Sequence, residues 1–232
     1  MKTAHRYDPI FFDCDSTLSA VEGIDELAFR AGVAEELIPL TNAAMEGTIA
    51  LEEVYGRRLD MIRPDRQAID WLRQRYLDEM VAGAEEVVGT LLDRGHEVHI
   101  VSGGLRQAVL AVGRFLGIPE ANIHAVDIRF DEAGQYAGFD QASPLARAGG
   151  KAVVCKQLLD EFSGPIRPVL IGDGMTDLEA ADAGVQVIGF GGVARREAMV
   201  QEASFFVEGP SLTGVLDYLS RKINHYHSSG DR

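Results

Sequence analysis

Two aspartates one residue apart, Asp13 and Asp15, follow a short apolar run, Pro9-Ile10-Phe11-Phe12. A run that short, and that rich in aromatic and branched side chains, predicts a buried strand. Side chains two apart on a strand point the same way, so both carboxylates converge past the strand's end while Cys14 turns aside. Two carboxylates in one small space resist joint ionisation. A divalent cation removes that conflict, and an oxygen-only donor set suits magnesium. Ser16 and Thr17 add hydroxyls and N–H groups beside the pair, which suits an anionic substrate. Taken alone, the same residues would make an ordinary surface turn.

Three later clusters decide between these readings. Ser102-Gly103-Gly104 follows the apolar run Val98 to Val101, and Gly172-Asp173-Gly174-Met175-Thr176-Asp177 follows Arg167 to Ile171. Lys151 opens a helical stretch. Ser102, with the N–H groups of Gly103 and Gly104 at a helix N-terminus, offers an anion site. Lys151 supplies a positive point charge, and Asp173 a further metal ligand. Asp13 is then a candidate nucleophile and Asp15 a candidate acid and base. A carboxylate attacking phosphorus, oriented by magnesium and opposed by a lysine, is covalent phosphoryl transfer. The protein's main task in that chemistry is positioning and charge stabilisation. A cysteine-phosphatase mechanism is excluded. It needs an Arg six residues after the nucleophile, where Cys14 and Cys155 have Ala20 and Glu161.

These groups need a scaffold that gathers strand ends. Strand patterns at 9–12, 97–102, 167–171, 185–188 and 204–207 alternate with helical patterns, which predicts a doubly wound, Rossmann-like parallel sheet of the α/β class. Such sheets bind ligands beyond the carboxyl ends of their strands, where the clusters fall. Between the first two strands the chain is almost wholly helical, with helices expected at 34–45, 51–62 and 65–80, broken by Pro39, Gly47 and Pro64. That block reads as a small helical cap (19–81) inserted into a core domain (1–18 and 82–224). Segments 123–130 and 136–139 read as a β-hairpin, and 225–232 as a polar tail.

Composition excludes several classes. The 232 residues carry a net charge of −14, which argues against a nucleic-acid or anionic-membrane partner but not against a small anionic substrate. No apolar run approaches the ~20 residues of a membrane span. Lys2, His5 and Arg6 are not followed by an apolar stretch, so no signal peptide is expected. Two cysteines make no disulfide framework, and the cytoplasm is the expected compartment.

The four signatures, Asp13-Cys14-Asp15-Ser16-Thr17, Ser102-Gly103-Gly104, Lys151 and Gly172-Asp173-Gly174-Met175-Thr176-Asp177, resemble those of the aspartate phosphatases of the haloacid dehalogenase superfamily. The likeness spans about residues 8 to 220, including Ala44-Met45-Glu46-Gly47 and Gly149-Gly150-Lys151. Asp15, the second aspartate of the first signature, marks the phosphatase branch. The resemblance implies hydrolysis of O-phospho-L-serine, the last step of serine biosynthesis, with Asp13 becoming the aspartyl phosphate. Asp15 would protonate the leaving oxygen and then activate water. Magnesium would be held by Asp13, the backbone carbonyl of Asp15, and Asp173, with Asp177 supporting Lys151 or the metal's waters. Ser102, Gly103 and Lys151 would hold the phosphoryl oxygens. Glu22 would meet the substrate's ammonium group, Arg58 its carboxylate, and Met45 would shape the pocket. Thr176 stands where many relatives have Asn and keeps one hydrogen-bond donor.

Other readings carry less of the sequence. The same chemistry could serve another small phosphorylated metabolite, or an alcohol acceptor in place of water. Gly189-Phe190-Gly191-Gly192-Val193-Ala194 fits a dinucleotide-binding fingerprint, with Glu208 ending the next strand. It lies near the chain's end and lacks a second mononucleotide half. A receiver-like switch would also cluster aspartates and a lysine, but the helical block after the first strand argues against it.

Overall fold

The computed structural model describes residues 7–45, 48, 49 and 51–225. The chain starts with β1 (Ile10–Phe12), fully buried as its apolar run demands. Four helices follow: α1 (Gly23–Ala31), α2 (Ala34–Met45), α3 (Leu51–Ile62) and α4 (Arg66–Asp78). α1 buries Ile24, Leu27 and Ala28 and stops at Gly32, whose φ of 74° is the left-handed conformation that glycine adopts without strain. α4 starts on Asp65, whose carboxylate accepts the Ala68 N–H at 2.7 Å. Then come α5 (Ala84–Asp93), β2 (Val98–Leu105), α6 (Arg106–Phe115), β3 (Ile123–Val126), β4 (Ile128–Phe130) and β5 (Tyr136–Phe139). The last part comprises α7 (Gly150–Leu159), β6 (Val169–Gly172), α8 (Met175–Leu178), β7 (Gln186–Phe190), α9 (Glu197–Glu202), β8 (Phe205–Val207) and α10 (Gly214–His225).

Among the described residues, six strands form one parallel sheet in the order β3-β2-β1-β6-β7-β8, flanked by helices. Ile10 pairs with Val98 on one side and Val169 on the other. The strands are near-continuous apolar runs because helices cover the sheet. The chain winds outward from β1 to β3, then returns to place β6 on the free side of β1. The strand order therefore reverses between β1 and β6, and a crevice opens at their carboxyl ends. The Asp13 N–H still donates to the Ile171 carbonyl at 2.9 Å, so the residue just past β1 is fixed against β6.

Four expectations change. Pro39 lies inside α2 rather than breaking it. Pro39 and Glu35 are both exposed, so water can solvate the carbonyl that lacks its i+4 partner. β2 runs on through Gly103 and Gly104 to Leu105, which still pairs with Val126 across an irregular register. The two glycines therefore belong to a strand, and the helix starts only at Arg106. The segment expected as one arm of a hairpin divides at Asp127. Residues Ile123–Val126 join the main sheet, and Ile128–Phe130 pairs with Tyr136–Phe139. Gln107 fastens the division, accepting the Ile128 N–H at 3.1 Å and donating to the Ile128 carbonyl at 2.9 Å. Finally, α10 runs to His225, so the expected tail shortens to 226–232, outside the described residues.

Candidate active site

Asp13 leaves β1 directly into the crevice, and the turn behind it is built on one carbonyl. The Cys14 oxygen accepts the N–H groups of Thr17, Leu18 and Ser19 at 3.3, 2.9 and 3.0 Å. Ser16 sits at φ 52° within that turn and donates its hydroxyl to Glu22 Oε1 at 2.8 Å. Asp13 Oδ1 accepts the Cys14 N–H at 2.7 Å, and Oδ2 lies 2.8 Å from Lys151 Nζ. Lys151, at the start of α7, also donates to Asp177 Oδ1 at 2.6 Å. Burial alone would drive its proton off. The carboxylates of Asp13 and Asp177 outweigh burial and hold the ammonium above its ordinary range.

β6 supplies the opposite wall. Asp173 follows it, buried, with Oδ2 accepting Arg196 Nε–H at 3.0 Å. Asp177 turns back under the loop, its Oδ2 accepting the N–H groups of Asp173 and Gly174 at 3.1 and 3.0 Å. Gly172 permits this return, since a Cβ there would lie 2.1 Å from the Asp177 carboxyl carbon. Burial pushes Asp177 up to about 6 even though Lys151 pulls it down. Burial also raises Asp173 well above the carboxylate range, reinforced by Glu22, Asp177 and Asp13.

The carboxylate oxygens of Asp13, Asp173 and Asp177 include a set lying within 4.8 Å of one another. An all-oxygen, buried and mutually repelling set fits a hard divalent cation. The Asp15 side chain lies outside that set, engaged elsewhere. Its Oδ1 accepts the Tyr76 hydroxyl at 2.5 Å and its Oδ2 the Gly23 N–H at 3.3 Å. Burial, then the charge of Asp13, pushes Asp15 up to about 7.

A cavity of about 50 Å³ is lined by Asp13, Asp15, Glu22, Arg58, Ser102 and Lys151, with Gly103 and Thr176 also on its wall. Met45 is the last residue of α2, and its side chain, like all of Glu46 and Gly47, lies outside the described residues. Ser102 is buried, and its Oγ accepts the Gly104 N–H at 3.0 Å. That N–H is therefore already engaged, so the expected anion site narrows to Ser102 and Gly103. Arg58 is buried on α3 with its guanidinium 5.6 Å from the Tyr55 ring centroid. Glu22 sits at the N-cap of α1, pushed up to about 8 by burial and then by Asp15. A cation placed against it would restore its charge.

Residues 10–182 match the family of haloacid dehalogenase-like hydrolases. The chain belongs to this family. It is 36% identical to the phosphoserine phosphatase of Bos taurus over 211 residues, covering 90% of this chain and 93% of that one. Identity to the phosphoserine phosphatase of Homo sapiens is also 36%, over 89% of this chain and 91% of that protein. Among solved structures, a substrate-bound phosphoserine phosphatase complex superposes with a TM-score of 0.79 at 26% identity, covering 92% of this chain and 98% of the other. A phospho-aspartyl intermediate analogue of phosphoserine phosphatase superposes with a TM-score of 0.77, also at 26% identity, over 92% of this chain and 99% of the other.

Three residues of this family member escaped the sequence reading. Arg196 precedes α9 and bridges Asp173 to Glu22, whose Oε1 lies 3.4 Å from Nη2. Tyr55 donates to the Gly103 carbonyl at 2.8 Å, tying α3 to the end of β2. Tyr76 reaches Asp15 from α4. Only Arg196 had a signal, as part of a basic pair just beyond a strand's carboxyl end in an acidic chain. The glycines of the dinucleotide-like stretch serve packing instead. A Cβ on Gly191 would stand 2.5 Å from the Phe206 ring, and one on Gly192 would stand 2.2 Å from the Phe190 ring.

Proposed function

We propose that this chain is a phosphoserine phosphatase, hydrolysing O-phospho-L-serine to L-serine and phosphate with magnesium as cofactor. The observation that carries the reading is Asp13, held at the β1–β6 crevice with Oδ2 2.8 Å from Lys151 Nζ. One cavity joins it to Asp15, Glu22 and Arg58.

Asp13 attacks phosphorus and forms the aspartyl phosphate, while Lys151 and Ser102 receive the phosphoryl oxygens. Asp15 gives a proton to the departing serine oxygen and later takes one from the attacking water. Asp13, Asp173 and the Asp15 carbonyl would hold magnesium, which supplies charge neutralisation at the phosphoryl group. Asp177 keeps Lys151 in place. Arg58 grips the substrate carboxylate, Glu22 meets the ammonium group, and Thr176 completes the amino-acid end of the site.

The helices α1–α4 act as a cap over the core. The Tyr55–Gly103 hydrogen bond, at 2.8 Å, is one link between cap and core. A cytoplasmic place at the last step of serine biosynthesis follows from this substrate and from the acidic, cysteine-poor composition.

The test is a panel of small phosphate monoesters with and without magnesium. The reading requires phosphoserine to give the highest kcat/KM and chelation to abolish turnover. Preference for a phosphorylated sugar or polyol would keep the chemistry and reject the substrate.

A further inference from the structure

Tyr76 lies near the C-terminal end of α4, fully buried, in a stretch where the helical pattern asks only for an apolar side chain. Phenylalanine would fill the same volume. The hydroxyl instead crosses to the reacting centre and donates to Asp15 Oδ1 at 2.5 Å. Its surroundings are shaped for it. A Cβ on Gly23 would stand 2.2 Å from the hydroxyl oxygen and 3.0 Å from the ring carbon that bears it, and one on Gly104 would stand 3.4 Å from the oxygen. The backbone beneath is pinned as well, because Ser19 Oγ donates to the Tyr76 carbonyl at 3.1 Å. A buried tyrosine needs a partner for its O–H, and here that partner is the acid–base carboxyl itself.

We propose that Tyr76 positions Asp15 for proton transfer, holding Oδ1 so that Oδ2 carries the transferable proton. The proposal rests on the phosphatase reading above. A proton on Oδ1 would face the Tyr76 O–H donor head-on. Among the described residues Oδ2 accepts the Gly23 N–H, at a long 3.3 Å, which leaves room for a proton. In the first half-reaction the Asp15 Oδ2–H bond breaks and the serine O–H bond forms, as the ester P–O bond breaks and the Asp13–phosphorus bond forms. In the second, water gives a proton to Oδ2 as its oxygen bonds phosphorus and Asp13 leaves. Tyr76 keeps its own proton throughout. It is a positioning residue.

The experiment compares Tyr76→Phe with wild type on phosphoserine, an alkyl ester, and p-nitrophenyl phosphate, whose leaving group needs no proton. Single-turnover release of the alcohol or phenol isolates the first step. With phosphoserine that step should slow by about 10- to 100-fold, the scale of a misplaced catalytic group. KM should stay within about threefold, as expected when only transition-state stabilisation is lost. Phenol release should change by less than about threefold, because its barrier does not depend on the acid. Gly23→Ala provides a second route, since its Cβ pushes the hydroxyl off Asp15 while the tyrosine remains. It should show the same leaving-group signature, and it carries the test should Tyr76→Phe melt below the assay temperature. The double variant should keep the loss of Tyr76→Phe without multiplying it, because phenylalanine removes the oxygen 2.2 Å from the new Cβ and leaves the ring carbon at 3.0 Å, a contact that a shift of a few tenths of an ångström relieves. Equal losses on both substrates, no loss on phosphoserine, or additive losses in the double variant would overturn the proposal. Wild type inactive on phosphoserine would sink the phosphatase reading first, and this one with it.

Discussion

Arg196 donates its Nε–H to Asp173 Oδ2 at 3.0 Å, so an arginine guanidinium stands against a carboxylate assigned to the metal. The same guanidinium reaches Glu22, and thus ties the core loop after β6 to the start of α1. Without a divalent cation, Asp13, Asp173, Asp177 and Glu22 crowd one small volume, and Lys151 and Arg196 offset their charge. Removing one partner of such a pair leaves a buried charge uncompensated. The Arg196 side chain is 24% exposed, which reduces the cost. Arg196→Ala should therefore lose about 1–2 kcal/mol in chelator-treated protein, or roughly 2–8 °C in melting temperature. Magnesium should recover most of that loss, so the magnesium-induced gain in melting temperature should be larger in the variant than in wild type. Equal losses with and without magnesium would show that Arg196 serves only packing.

Asp13→Asn should abolish turnover and leave the fold intact. The amide is isosteric with the carboxylate but cannot attack phosphorus. Rapid acid quench of the wild type with labelled substrate should trap phosphate on Asp13. Label found on Ser16 or Ser102, with turnover surviving the substitution, would refute the aspartyl-phosphate mechanism. Lys151 complicates the stability readout in a useful way. It keeps its Asp177 bond at 2.6 Å, so melting should change by only a few degrees even as the Asp13 charge is lost.

Local pattern made much of this molecule legible. Helices at Ala34–Met45, Leu51–Ile62 and Ala84–Asp93 follow from apolar spacing and from the glycine and proline residues between them. The aspartates, Ser102 and Lys151 could be placed because each lies at a strand or helix end, where a parallel sheet gathers its ligands. What could not be read is contact at long sequence range. Tyr76 meets Asp15 across 61 residues, and Arg196 meets Glu22 across 174. Neither pairing leaves a periodic trace. The glycines after Ser102 misled for another reason. Gly-Gly before a helical pattern reads as a helix entry, whereas β2 continues past an irregular pairing to Leu105, and a Cβ on Gly104 would stand 3.2 Å from both Ser102 Oγ and a Val109 methyl.

Specificity should reside in Glu22 and Arg58, because every phosphomonoester offers the same phosphate to the sheet. Each charge-assisted bond to the amino-acid end is worth about 1.5–3 kcal/mol, or roughly 10- to 150-fold in kcat/KM. Phosphoethanolamine lacks the carboxylate, so it should be a poor substrate yet nearly indifferent to Arg58→Ala. Phosphorylated 3-hydroxypropionate lacks the ammonium group and should be nearly indifferent to Glu22→Gln. Phosphoserine should suffer from both changes. Equal weakening of phosphoserine and phosphoethanolamine by Arg58→Ala would assign Arg58 to the phosphate or to packing over Tyr55.

The edge of the sheet away from β6 carries a different electrostatic device. His99 on β2 and His124 on β3 stack at 5.5 Å, with His99 Nδ1 3.3 Å from His124 Nε2 and His99 Nε2 3.1 Å from Glu97 Oε1. Burial lowers both imidazoles to about 4, with His99 and then Arg106 adding to the shift at His124, while Asp8 and Glu161 pull His99 the other way and Glu161 does so at His124. Both are therefore neutral in the folded protein at pH values where an unfolded histidine, with a pKa near 6.5, is already charged. The unfolded state then binds more protons, so stability is full above about pH 6.5 and falls as pH drops toward 4. The slope should approach about 1.4 kcal/mol per pH unit for each histidine. Replacing both by phenylalanine keeps a stacked aromatic pair and removes the titration. Urea unfolding of wild type and of the His99→Phe/His124→Phe variant between pH 4.5 and 7.5 should show a shallower decline in the variant. Parallel curves would mean that the acid sensitivity of this protein comes from its carboxylates instead.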